Sequence, residues 1–79
     1  MFISPRKILK KPEIMDHIAD PYVVVTHTEW GLPNNEEVLD AVNILYWRGW
    51  ETINISFAQM KMAALVKNPR AKQKKVDES

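Results

Sequence analysis

Seventy-nine residues, a net charge of +1 and no cysteine leave room for one domain and exclude disulfides and thiolate metal sites. No apolar run reaches the ~18 residues of a membrane-span candidate. The basic start, Met1 to Lys11, lacks the apolar stretch of a signal peptide, so the expected location is cytoplasmic, with no membrane partner.

The first twenty residues read ambiguously. Ser4 is placed to cap a short helix with Pro5 at its first position. Pro12 forbids a regular helix through residues 9–13, but it can start a second turn system. Ile14, Met15, Ile18 and Ala19 give residues 12–19 one apolar face at helical spacing. Asp20 and Pro21 end that pattern. Tyr22, Val23, Val24, Val25 and Thr26 then form a β-branched run, read as a strand covered on both faces or lying inside a sheet. Thr28 to Asn35 is a loop holding Gly31 and Pro33.

A helix follows. Asn34 is its expected N-cap, and Glu37 stands at the capping-box spacing. Glu36 and Glu37 complement the positive end of the helix dipole. Val38, Leu39, Ala41, Val42, Leu45 and Tyr46 share one broad face, and Gly49 supplies the left-handed residue that ends a helix. Beyond it, Ile53, Ile55 and Phe57 alternate with Thr52, Asn54 and Ser56, which predicts a strand with one face on the core. Ala58 and Gln59 are the expected turn. Met60 to Val66 returns as a strand with Met60, Met62, Ala64 and Val66 on one face, and Asn68 and Pro69 end it.

This order implies an α+β fold: a small two-layer domain with a three-stranded, mainly antiparallel sheet (β-α-β-β) packed on one helix, plus a short N-terminal helical segment. The last strand is expected between the other two, antiparallel to both. The implied parts are a helical arm over 1–20, a core over 21–69 and a basic tail over 70–79 with too little apolar surface to order alone.

The corner Gly49-Trp50-Glu51 carries a resemblance. With strand Tyr22 to Thr26, helix Glu36 to Trp47 and the two later strands, the chain resembles a bacterial and phage domain-of-unknown-function family with a strand, an amphipathic helix, Gly-Trp-Glu and two strands. Trp47 departs from that pattern. The resemblance implies a similar small α/β fold and no activity.

Chemistry is sparse. Two glycines cannot build phosphate-loop or dinucleotide fingerprints, so no cofactor is expected. No serine sits in a nucleophile elbow. His17 and His27 lack metal-ligand spacing, although His27 and Glu29 share one end of the first strand, within reach of Asp16 or Asp20. Gly49, Trp50 and Glu51 read as a structural corner. Trp47 falls on the polar side of the helix, which implies cover by the N-terminal segment, contact with another chain, or plain exposure. With Ile44 and Trp30 it forms the expected protein interface.

Charge is segregated: residues 1–11 carry +4, 12–60 carry −7 and 61–79 carry +4. Basic ends can contact a polyanion, fold back on the acidic body, or pair with it in a neighbouring chain. Lys10, Lys11, Lys67, Arg70, Lys72, Lys74 and Lys75 are the candidate phosphate contacts. The leading expectation is a non-enzymatic interaction or oligomerisation module whose partner is another protein or a second copy. The alternative is an accessory nucleic-acid-binding protein acting through its basic termini.

Overall fold

The computed structural model describes residues 1–71. Its elements are β1 (Phe2–Ile3), α1 (Pro5–Lys10), a 3₁₀ turn (Pro12–His17), β2 (Tyr22–Thr26), α2 (Asn35–Trp47), β3 (Glu51–Ala58) and β4 (Lys61–Lys67). The protein is α+β, with a four-stranded mixed sheet in the order β1-β2-β4-β3. As expected, β4 lies between β2 and β3 and runs antiparallel to both. The fourth strand is the addition: β1 pairs in parallel with β2, setting Phe2 beside Val24 and Ile3 beside Val25.

Local chemistry starts and stops each helix. The Ser4 side chain accepts from Arg6 N and Pro5 occupies the first turn of α1, where its missing N–H is not needed. Asn34 caps α2 by accepting from Glu36 N at 3.1 Å. The expected capping box does not form. Glu37 points instead toward Arg6 and His27. At the other end Gly49 N donates to Tyr46 O and Trp50 N to Leu45 O, the paired bonds of a Schellman motif. Gly49 takes a φ of +91° there. Trp50 and Leu45, the two residues that motif brings into contact, are both buried.

The core lies on one face of the sheet. Val23 and Val25 of β2 and Ala64 and Val66 of β4 point into it, against Val38, Ala41 and Leu45 of α2. The seam of α2 is therefore narrower than the broad apolar stripe suggests, since Leu39 and Tyr46 are exposed. Residues 1–20 are part of the same core, to which they contribute Ile3, Ile8 and Met15. Fully burying each such aliphatic side chain contributes about 1.5–3 kcal/mol. A domain this small needs that contribution.

One packing expectation is overturned. Ile53, Ile55 and Phe57 do not form the sheet side of the core; they are 46%, 42% and 61% exposed. β3 is the outermost strand; α2 lies mainly against β4 and meets β2 and β3 equally, yet no β3 side chain is buried. The alternation is also broken by a bulge between Thr52 and Asn54, which displaces Ile53 from a simple period of two. Beyond the bulge, Ile55 and Phe57 pair with Ala64 and Met62, so their side chains stay on the helix side of the sheet but lie past the helix that would cover them.

The β3–β4 turn is shifted one residue from the expected position, to Gln59 and Met60, with φ of +53° and +64°. Two left-handed residues define a type I′ hairpin. Neither is glycine or asparagine, the residues that adopt this conformation readily. The Asn35 side chain steadies the turn: its Nδ2 donates to Met60 O and its Oδ1 accepts from Met62 N.

A second clamp closes the opposite end of the sheet. Asn68 is buried. Its Nδ2 donates to Ile18 O at 2.7 Å and Asp20 O at 3.0 Å, and its backbone N donates to Pro21 O. One buried amide thus fixes the connection into β2 against the exit from β4, with its polar groups matched as burial requires.

Candidate protein interface

The densest polar cluster joins the end of β2 to the starts of α1 and α2. His27 is only 3% exposed. Its Nδ1 faces Glu29 Oε1 at 3.3 Å, while its Nε2 faces Asn34 O at 2.8 Å and Glu37 Oε1 at 3.2 Å. Asn34 O is a carbonyl and can only accept, so Nε2 donates to it. Ser4 Oγ donates to Glu29 Oε2 at 2.6 Å. That bond is the main reason the Glu29 carboxyl is held down at about 2, with further help from its own backbone, His27 and Arg6. Arg6 Nε donates to Glu37 Oε1 at 2.9 Å.

Serine, histidine and glutamate are therefore neighbours but not a catalytic relay. A nucleophilic serine must present its hydroxyl to the histidine base. Here the hydroxyl is buried, caps α1 and donates to the carboxylate. His27 approaches Glu29 as expected, but its second carboxylate is Glu37 rather than Asp16 or Asp20. Among the described residues no three histidine, aspartate or glutamate side chains converge as a metal site. This cluster is not visible in sequence as a whole because its bonded pairs lie as many as 31 residues apart; the helix starts at Ser4 and Asn34 and the closeness of His27 to Glu29 are its local marks.

Among the described residues, one arginine from each basic end reaches the acidic middle: Arg6 meets Glu37 and Arg70 meets Asp16. Arg70 donates to Asp16 Oδ1 at 3.2 Å and to Met15 O at 3.3 Å, and Arg48 also donates to both oxygens of Asp16. The Arg48 hydrogen bond, with the nearby positive charge, holds the Asp16 carboxyl below its usual range. Arg70, a candidate phosphate contact, is thus engaged within the fold. Lys10 and Lys11 are exposed at the end of α1 and Lys67 is half-buried at the end of β4. Lys72, Lys74 and Lys75 lie outside the described residues.

The corner Gly49-Trp50-Glu51 joins α2 to β3 as expected. Trp50 is buried, and its Nε1 is the one buried side-chain polar atom without a partner among the described residues. Trp47 is 84% exposed, so the N-terminal segment does not cover it; its ring meets Tyr46 edge-on, with centroids 5.2 Å apart. Trp30 is fully exposed in the loop before α2, while Ile44 packs against the core. A 13-residue helix separates the two tryptophans by about 20 Å. Trp30, Ile44 and Trp47 do not form one patch.

A different apolar surface is continuous. A groove runs between Val42, Asn43 and Tyr46 of α2 and Trp50, Glu51 and Thr52 at the start of β3. Asn35, Leu39, Val42 and Tyr46 share one row of the helix, and Asn35 at its start touches the β3–β4 turn. The row follows β3 along its length. Leu39 and Tyr46 of that row and Ile55 and Phe57 of β3 are exposed on the helix side of the sheet, beside the unpaired edge of β3. Sequence reasoning found the strand and missed the surface, because alternation reports that two faces differ and not whether either is covered.

No protein-family model, no curated protein and no solved structure matches this chain, so function is argued from geometry alone. None of the described helices is long and apolar enough to cross a membrane.

Proposed function

We propose that this protein is a non-enzymatic interaction module that engages another polypeptide through the outer edge of β3. The observation that carries this reading is an eight-residue edge strand with Ile53, Ile55 and Phe57 exposed along it. Edge strands expose unpaired N–H and C=O groups, and proteins blunt them with lysine, proline, short length or a bulge. β3 contains neither lysine nor proline, and its bulge lies between Thr52 and Asn54, before the stretch that carries Ile55 and Phe57. A strand added to such an edge gains main-chain hydrogen bonds and side-chain pockets together. Tyr46 borders the groove and brings Trp47 to its rim, which keeps Trp47 in the proposed interface and leaves Trp30 and Ile44 outside it. A cytoplasmic location belongs to the same proposal. The nucleic-acid alternative is weakened by the engagement of Arg70 with Asp16.

The test compares the tagged chain with its Ile55→Lys variant in cells, after circular dichroism has established that both are folded. The reading holds if the first retains a stoichiometric polypeptide, whether a second copy or another chain, and the variant loses at least nine-tenths of it. Equal retention by both, or retention of nothing by either, overturns it.

A further inference from the structure

The hairpin fixes which backbone groups of β3 face outward. In a two-residue type I′ hairpin the pair flanking the turn is hydrogen-bonded across the strands, and bonded and non-bonded pairs then alternate. Ala58 and Lys61 flank the turn. Ala58, Ser56 and Asn54 therefore spend their N–H and C=O groups on β4. Ile55 and Phe57 direct theirs away from it, toward the open edge.

These two residues match their own copies. We infer that the occupant of the β3 edge is a second copy of this chain, paired antiparallel about a two-fold axis through Ser56. This rests on the reading of β3 as the interface and names its partner. In that register Ile55 of each copy exchanges both backbone bonds with Phe57 of the other, giving four bonds and leaving the bulge at Ile53 outside the pairing. The axis stands normal to the sheet, so both helix layers lie on one side. Ile55 then packs beside Phe57 of the second copy on the floor of a single apolar channel, with Leu39 and Tyr46 of both copies as its walls.

One further observation favours this occupant, the exposed area. A standard interface takes ~800 Å² from each partner. Ile55, Phe57, Leu39, Tyr46 and Met60 are all between about two-fifths and two-thirds exposed, and with the strand's own edge they offer an area of that order.

The absence of native cysteine allows a direct test. Residues facing each other in a non-hydrogen-bonded antiparallel pair have Cα atoms ~4.5 Å apart, within the ~4.4–6.8 Å span of a disulfide. Ser56→Cys should cross-link to its own copy under mild thiol oxidation at least tenfold faster than Asn54→Cys, which would face Ala58 of the other chain. The purified native chain should sediment as a dimer over a concentration series. Ile55→Lys should weaken that dimer at least tenfold. A native chain that stays monomeric, or equal cross-linking of the two cysteine variants, overturns the inference. If the monomer still retains a different polypeptide that Ile55→Lys releases, the dimer alone falls and the edge reading stands. If the dimer ignores every β3 substitution, both fall.

Discussion

The two edges of the sheet are finished in opposite ways. β1 is two residues long; Ile3 is buried, and Pro5 follows at once with no N–H to offer another strand. β3 is eight residues long, apolar along its outer side and uncovered by any described helix. Short length closes the first edge to further pairing. On the second only the bulge between Thr52 and Asn54 interrupts the edge, and Asn54 to Ala58 stay regular beyond it. The difference separates residues that hold the fold together from residues free to meet a partner, although both groups are aliphatic and aromatic and look alike in sequence.

Substitution should expose that separation most strongly in paired isoleucines. Ile8, carried by the helix that follows β1, is fully buried, and Ile8→Ala should destabilise by about 2–5 kcal/mol. Ile55→Ala on β3 should cost under about 1 kcal/mol in the monomer. Urea unfolding of both at low concentration checks this. Equal losses would mean that β3 is as much a part of the core as α1.

Ser4, at the end of β1, should show a smaller effect with a pH signature. Ser4→Ala removes the N-cap of α1 and should cost about 1 kcal/mol. It also removes the bond that chiefly holds Glu29 at about 2, against an ordinary value of 4.5. A carboxyl depressed in the folded state stabilises fully above its unfolded pKa, and that contribution is lost as pH falls from about 4.5 toward 2. The variant should therefore lose less stability than the native chain across that window. Asp16 is depressed in both proteins, so the difference between their urea midpoints at each pH isolates Glu29.

The smallest effect should come at the far end of β3. Gln59→Asn with Met60→Gly places residues suited to the left-handed conformation in the type I′ turn, and thermal unfolding should show a gain of about 0.5–1 kcal/mol. Loss of stability would mean that the Met60 side chain, exposed as it is, contributes more than the turn strain costs.

Legibility followed the range of the signals. The start of α1 at Ser4-Pro5, the extent of β2, the cap at Asn34, the stop at Gly49 and the central place of β4 were readable because each rests on a few adjacent residues or on one periodicity. β1 was invisible, since two residues carry no period. The turn was placed one residue early because Gln59 and Met60 lack turn chemistry and are held by Asn35, distant in sequence. The candidate site was misread for a related reason. Ile53, Ile55 and Phe57 have the pattern of a core strand, but the bulge displaces the first and the place of β3 at the edge of the sheet leaves the other two exposed. Trp47 was rightly placed off the core face, but its link to Trp30 and Ile44 ignored the length of the helix between them.

The brevity of β1 has a consequence for growth. If two copies join through β3, each has spent its one long edge, and the resulting eight-stranded sheet ends on both sides in a two-residue strand backed by proline. Assembly by that route halts at a pair. An apolar rim that in isolation invites fibrils would then yield a closed particle of fixed stoichiometry.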